Sequence, residues 1–451
     1  MILDEDSFGF WSKIVRTVFK AVFRRIEPAH AVKLIEETLA GAREAAVYIH
    51  IPFCSGTCLF CPYTRYPIPR SEVERVFEKY FSALKREIDI YARIVEELSI
   101  RIVDAHAGGG TPSLAPPKML RDLIEHLSSR FGAQRFLAIE ANPEDLAIEE
   151  RVWSIVDAGV QEVSLGLQSL SPRKLRVLGR RHSVEDGLRA VENLRRAGCR
   201  RLNIDLMYAT PGETVSEWVE DLEKASSLDV DEITCYPTLV PKSVHGHRLL
   251  KERRLPPQPD LATVDRMALL CEDILSSKGF AGVEIYGYSR SPDWKYFTVN
   301  YEMEGPLIGL GCGAMGFTGG FEWVNTCSVD AYIESVNSGR APIAGARLVD
   351  VRERAARVVA SRLFVSRRLD LHEFRSIVGQ SLEEALGRSM TMVIRMLRLI
   401  GAVKRVGGSL VLTRRGYRIA HRFCWAFVLN VPCAITAKFM ESPWPTEVRV
   451  P

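Results

Sequence analysis

Val47-Tyr48-Ile49-His50-Ile51-Pro52-Phe53-Cys54-Ser55-Gly56-Thr57-Cys58-Leu59-Phe60-Cys61-Pro62 is the stretch that decides the fold. It opens as a buried strand and runs straight into a loop with three cysteines at C-x3-C-x2-C spacing. In a loop, thiolates this close in sequence converge on one metal centre, whereas a helix or strand splays them apart. Three cysteines leave one iron of a [4Fe–4S] cluster without a protein ligand. An open metal position is where a small molecule binds and reacts. The alternative is three buried or disulfide-bonded thiols. In a reducing compartment close-set thiols are more often metal ligands or catalytic groups.

The chain around this stretch has 451 residues, 47% apolar and 26% charged, an ordinary globular composition with length for a large catalytic domain and a smaller one. A net charge of +4 is too small to argue for nucleic acid. Cys199, Cys235, Cys271, Cys312, Cys327, Cys424 and Cys433 are scattered, so one cluster and no auxiliary one is expected. The start, Met1-Ile2-Leu3-Asp4-Glu5-Asp6, lacks a basic region followed by an apolar one, so no secretory signal is read and a cytoplasmic location is expected.

From residue 46 onward strands and helices alternate. Strand-like runs fall at 46–51, 100–107, 136–141, 161–166, 201–207 and 231–236, with helical patterns between and after them. Six such repeats predict a parallel sheet covered by helices, open or curled into part of a barrel. Ligands in such sheets sit at the carboxyl ends of the strands. The motifs gather there. After the second strand comes Gly108-Gly109-Gly110-Thr111-Pro112, either a tight turn or a backbone that presents its amides to a ligand carboxylate. The third strand ends on Glu140, the fourth runs to Gln168, Arg180 follows, and Asn203 and Asp205 lie in the fifth. Polar groups in apolar strands need partners or serve ligands. Asn203 and His182 read as structural; Glu140, Gln168, Arg180 and Asp205 read as ligand contacts. A later glycine-dense segment, Ile308-Gly309-Leu310-Gly311-Cys312-Gly313-Ala314-Met315, has room for a bulky planar ligand.

Both flanks are less regular. Residues 8–26 carry Phe8, Trp11, Val15, Val18, Phe19, Val22 and Ile26 at helical spacing, with Lys13, Arg16, Lys20 and Arg24 around them. Such a helix packs on its own domain or lies on a membrane surface. After residue 348 helices run without intervening strands until Gly407-Gly408, which reads as a two-residue hairpin turn. Helices followed by a hairpin predict a winged helix. The tail 423–440 is apolar but broken by Asn430, Pro432 and Lys438. The domains expected are thus an amphipathic helical segment over 1–45, the repeat core over 46–290, a glycine-rich linker completing the site over 291–347, a winged-helix-like domain over 348–420, and an apolar tail over 421–451.

The cysteine loop, Gly-Gly-Gly-Thr-Pro, Glu140-Ala141-Asn142-Pro143, Gly166-Leu167-Gln168-Ser169, Leu178-Gly179-Arg180, Asn203-Ile204-Asp205-Leu206-Met207-Tyr208 and the late glycines together resemble the radical S-adenosylmethionine (SAM) superfamily. More narrowly they resemble its oxygen-independent coproporphyrinogen III oxidase-like (HemN/HemW-type) family. The resemblance implies a partial (βα)6 TIM-like barrel with a C-terminal winged-helix-like α+β domain that caps the active site. It implies that Cys54, Cys58 and Cys61 hold a [4Fe–4S] cluster with SAM on the open iron. Tyr48, Gly109, Glu140 and Met315 stand where the family holds this SAM, with Tyr48 and Glu140 the catalytic candidates. Phe60, Gly110, Thr111, Gln168, Arg180 and Asp205 stand where it holds a second SAM. The implied chemistry is one-electron reduction of SAM to methionine and a 5′-deoxyadenosyl radical, fed by an electron donor such as a ferredoxin or flavodoxin. The partners expected are a small-molecule substrate, a lipophilic one if the apolar chain ends meet lipid, and no nucleic acid, for a monomeric enzyme. Three readings stay open: oxidative decarboxylation of a coproporphyrinogen-like tetrapyrrole, two-SAM methylation of an aromatic or quinone-like carbon, and a haem-trafficking chaperone. Where such chaperones carry His-Asn-x-x-Tyr-Trp this chain has Pro292-Asp293-Trp294-Lys295-Tyr296-Phe297, without the histidine. Pro237 stands where the oxidases have a small residue.

Overall fold

The computed structural model describes residues 1–132, 137–291 and 302–451. Six strands alternate with helices: β1 (Glu44–Ile51), β2 (Arg101–Gly109), β3 (Leu137–Ala141), β4 (Val160–Gln168), β5 (Arg201–Tyr208) and β6 (Glu232–Pro237). They lie side by side in chain order, every neighbour parallel. A parallel sheet covered on its faces needs near-continuous apolar strands; Val47, Ile49 and Ile51 of β1, for example, are fully buried. The covering layer obeys the other period. Along the helix Val73–Glu97, Phe77, Tyr80, Phe81, Leu84, Ile88, Tyr91 and Val95 recur every three or four residues and are all buried. This is the partial (βα)6 barrel that the alternation predicts.

The sheet continues past β1, and three of the expected segments change character. Leu307–Leu310 pairs parallel with β1. Met315–Phe317, Phe321–Asn325 and Ile343–Leu348 then add antiparallel. The expected linker 291–347 therefore holds, in its described part, sheet strands with the helix Val329–Asn337 between the last two. Ala21–Arg24 and Glu447–Val450 follow at the edge, pairing Ala21 with Val450 and Arg24 with Glu447. The expected helix over 8–26 is really a helix, Phe10–Val18, and this edge strand. Val22 and Phe23 satisfy a helical stripe and a strand equally well; the chain end Glu447–Val450, hundreds of residues away, settles which.

The tail is likewise structured, as the helices Arg414–Asn430 and Pro432–Phe439 before that last strand. The two apolar ends pack on each other. Phe8 lies 5.6 Å from Trp425, Trp11 6.1 Å from Phe423, and Phe19 5.0 Å from Phe427. Arg16 donates to Asn430 Oδ1 at 2.6 Å and pairs with Asp6. The apolar face that could have met lipid is spent on this contact. By length and mean hydropathy Arg414–Phe439 is apolar enough to cross a membrane, but 61% of its apolar 18-residue window is buried inside the protein.

The winged helix forms as expected. Helices Leu371–Val378 and Leu382–Leu399 flank a sheet of Arg368–Asp370, Ser409–Leu412 and Val403–Val406, with Gly407-Gly408 at the hairpin tip. It is tied to the helix Leu261–Ser277 of the barrel by Arg367–Glu272 at 2.7 Å. Arg414–Asp273 at 2.7 Å and Arg422–Asp265 at 2.5 Å tie the helix that follows the wing to the same element.

Candidate functional site

The carboxyl ends of the parallel strands open onto a cavity of about 370 Å³. Cys54, Cys58 and Cys61 border it, with Phe60, Gly109, Gly110, Thr111, Glu140, Gln168, Arg180 and Asp205. Residues from five strand ends and one loop meet there because a parallel sheet delivers every carboxyl end to the same side. Tyr48 and Met315 do not line it. Tyr48 sits three residues, roughly 10 Å, short of the end of β1. It touches His50 Nδ1 at 3.2 Å and stacks on His106 at 6.3 Å, behind the wall. Met315 lies in the strand Met315–Phe317, opposite Val324. Neither is among the residues that border this cavity.

The cysteine loop is clamped from below. The amides of Gly110 and Thr111 donate to the carbonyls of Ile51 (2.8 Å) and Phe53 (2.7 Å). The Gly109 amide donates to Glu140 Oε2 at 3.1 Å. These amides were expected to meet a ligand carboxylate; they are spent on protein acceptors, so the glycines serve first to hold the loop. Phe60 anchors the far side in an apolar cluster with Leu178, Val240, Val244 and Leu250. Arg65 braces the loop with Nη2 donating to the carbonyls of Cys58 and Cys61, both at 3.0 Å.

Charge around the thiols follows from this packing. Burial pushes the Cys54 thiol up to about 11 and also raises Cys61. Against that, Arg180 Nη1 donates to Cys58 Sγ at 3.2 Å and Arg65 lies beside Cys61. All three cysteines are free thiols. Among the described residues no three His, Cys, Asp or Glu side chains converge on a point where a single ion would sit. A [4Fe–4S] cluster makes a different demand, thiolates spaced around a cube. Three free thiols on one cavity wall, backed by two guanidinium groups, fit it. Cys54, Cys58 and Cys61 would hold the cluster, which would supply an electron to SAM bound at its open iron.

The remaining polar residues divide by partner. Burial favours protonation of Glu140, but His106 (Nε2 at 3.5 Å) and the Gly109 amide outweigh it and hold the carboxyl below its ordinary range. Glu140 is thus an anion at the cavity wall. Asp205 is the opposite case: burial, then the negative charge of Glu140, push it up to about 7 despite hydrogen bonds from Ser164 (3.1 Å) and Asn203 (2.9 Å). Arg180 bridges Cys58, Asn142 Oδ1 (2.6 Å) and the Gly166 carbonyl (3.0 Å). Gln168 has a φ of 65°, in the left-handed region, at a register shift between β4 and β5. Such conformations cost about 1–3 kcal/mol in a non-glycine residue and cluster at functional sites. Asn203 and His182 are structural as expected: Asn203 bonds Ser164 and Thr234, and His182 the Leu167 carbonyl.

Several wall residues escape sequence reasoning. Asn142 joins Thr111 to Arg180, donating to Thr111 Oγ1 at 3.0 Å; its place after Glu140 in the third strand-end motif was the available signal. Tyr236 and Tyr286, 5.4 Å apart, both line the cavity. Val428 and Cys433 come from the C-terminal helices, and nothing local in the sequence connects them to the loop. The expected His-Asn-x-x-Tyr-Trp counterpart at 292–297 lies outside the described residues.

Comparison with known proteins agrees with this geometry. The profile of the radical SAM superfamily matches residues 48–225. Heme chaperone HemW of Bacillus subtilis (strain 168) is 26% identical over 392 residues, covering 85% of this chain and 99% of the relative. Heme chaperone HemW of Mycobacterium tuberculosis (strain ATCC 25618 / H37Rv) is 30% identical over 302 residues, 66% of this chain and 76% of the relative. The coproporphyrinogen III oxidase HemN from Escherichia coli has the same fold, with a TM-score of 0.73 at 20% identity over 90% of this chain and 94% of its own. This chain belongs to the radical SAM superfamily and, within it, to the HemN/HemW-type proteins.

Proposed function

We propose that the chain is a haem-trafficking chaperone that keeps a [4Fe–4S] cluster and SAM in the cavity at the strand ends. The observation that carries this reading is the reach of the likeness to HemW of Bacillus subtilis, which takes in 99% of that relative rather than the cluster domain alone. The cavity is compatible with it. Its wall carries the three cysteines, Glu140, Arg180 and Asp205 together with Tyr236, Pro237, Leu239, Tyr286 and Val428. A volume of about 370 Å³ lies near the low end of the ~300–1,000 Å³ usual for small-molecule sites. In this reading Glu140 and Gly109 sit against the SAM on the cluster, while Arg180 and Asp205 set the charge of the cavity wall. Since the histidine of the chaperone signature is replaced at Pro292-Asp293, haem iron takes its ligand from another side chain.

Titration of haem into the cluster-loaded chain, followed by its Soret absorption, tests the proposal. One haem per chain and its transfer to an apo-haemoprotein are expected, with no carbon dioxide released from coproporphyrinogen in the presence of SAM and reductant. Carbon dioxide release without haem retention makes the protein an oxidase instead. That enzymatic reading, and the methyltransferase one, draw on the second-SAM positions Phe60, Gly110, Thr111, Gln168, Arg180 and Asp205, all of which border the same cavity.

Asp205 gives the site a pH dependence. Its folded-state pKa of about 7 lies above that of the unfolded chain, so its proton stabilises the fold at low pH and this contribution is lost as pH rises through about 7. Asp205→Asn is therefore expected to gain stability relative to wild type between about pH 5 and pH 8, read by urea unfolding. Ligand binding has the opposite sign. SAM carries positive charge, so its affinity should rise as Asp205 ionises, by roughly ten- to a hundredfold for a hydrogen bond to a charged group worth about 1.5–3 kcal/mol. The variant should lose this pH dependence. A wild-type affinity that is flat across that range removes Asp205 from SAM binding.

A further inference from the structure

Between Ala385 and Met440 the chain contains not one Asp or Glu against ten Lys and Arg, although its net charge is only +4. Two of the ten, Arg414 and Arg422, pair with acids of the barrel. Arg388, Arg395 and Arg398 on the helix Leu382–Leu399, and Lys404 and Arg405 on the wing strand, are exposed. None of these five is paired with an acid among the described residues.

The same helix face carries apolar side chains where a solvated face has none. Its inner stripe, Leu382, Ala385, Leu386, Ile394 and Leu397, is buried in the winged helix. Its outer stripe runs Met392, Met396, Leu399 and Ile400, at spacings of four and three, and is continued by Val406 near the wing tip. Leu399 is 86% exposed, Met392 62% and Met396 55%. Packing among the described residues covers none of them, and an exposed apolar patch of this kind marks an interaction site.

We propose that this face of the winged helix docks on an anionic lipid surface, with Met392, Met396, Leu399, Ile400 and Val406 inserted among the acyl chains and the five cations on the headgroups. Apolar side chains flanked by Lys and Arg are the pattern of an interfacial helix. Charge complementarity alone would also admit duplex DNA, the usual partner of a winged helix. A helix that reads DNA, however, needs donors and acceptors to meet base edges. From Arg388 to Leu399 the exposed side chains besides the arginines are, among those described, Met392, Met396 and Leu399. A protein partner would have to bring matching acids to all five cations, a demand that anionic headgroups meet by themselves. The proposal stands independently of what the cavity binds.

Flotation of the full-length, cluster-loaded chain with phosphatidylcholine vesicles, with and without phosphatidylserine, tests it. The wild type is expected to float with the anionic vesicles at low salt, to stay down with the neutral ones, and to release near 1 M salt, where the screening length falls to about 3 Å. Arg395→Gln with Arg398→Gln should weaken partitioning by roughly fivefold per charge removed. Met396→Asp with Leu399→Asp should abolish it. All four side chains are exposed, so iron content and circular dichroism should match wild type and isolate the surface effect. Flotation that survives the aspartate pair, or is absent for the wild type at every ionic strength, overturns the proposal. Salt-resistant retention of duplex DNA that depends on the arginines and not on Leu399 assigns the face to nucleic acid instead.

Discussion

A chain with Cys54, Cys58 and Cys61 all changed to Ala is expected to bind no iron and to cleave no SAM, while remaining folded. Cys54 is packed against Phe53 and the clamp from Thr111, and Cys58 and Cys61 are only half-buried, so their loss removes few contacts. What it removes is every thiol on the loop that faces the cavity. The complementary variant, with the seven other cysteines changed to Ser or Ala, should keep about four irons per chain. That variant is demanding, because Cys433 also borders the cavity. Full iron loading without Cys433 shows that its thiol is not a ligand. Iron retained in the triple variant, or about eight irons in the wild type, means that a second site exists. Iron and sulfide analysis after anaerobic reconstitution decides between these outcomes.

The second large effect is expected from Gly110→Ala. A Cβ on Gly110 would stand 2.6 Å from both the Ile51 and the Phe53 carbonyl oxygens and 2.7 Å from the Phe53 nitrogen. These are backbone atoms at the root of the cysteine loop and cannot swing aside as a side chain can. They are also the acceptors that the Gly110 and Thr111 amides hold. The methyl group therefore pushes the loop away from β2 and breaks the clamp, for a cost of about 1–3 kcal/mol or more from overpacking alone. The chain should unfold at lower urea and fail to load iron even when folded. Gly408→Ala, at the wing tip with nothing within 4 Å, should do neither. If Gly110→Ala loads iron normally, the glycine run does not hold the loop in place.

Local patterns carried a large part of this protein. The C-x3-C-x2-C loop was legible because three ligands from one loop need no other part of the chain. The six β–α repeats were legible because side-chain period is a local property. The convergence of Glu140, Gln168, Arg180 and Asp205 on the cysteines followed too, since a parallel sheet brings all carboxyl ends to one side. Tertiary structure alone decided the rest. It made Val22 and Phe23 a strand rather than the last turn of a helix, because Val448 and Val450 hydrogen-bond beside them. It closed the cavity with Val428 and Cys433, and it turned the amides of Gly109, Gly110 and Thr111 toward protein acceptors instead of a ligand. It also buried the apolar face of the N-terminal helix against Phe423, Trp425 and Phe427 while leaving Met392, Met396 and Leu399 in solvent. Amphipathic spacing states that a face is apolar. Which partner covers it depends on residues hundreds of positions away, and a backbone amide or an edge strand carries no mark in the sequence of the acceptor it will find.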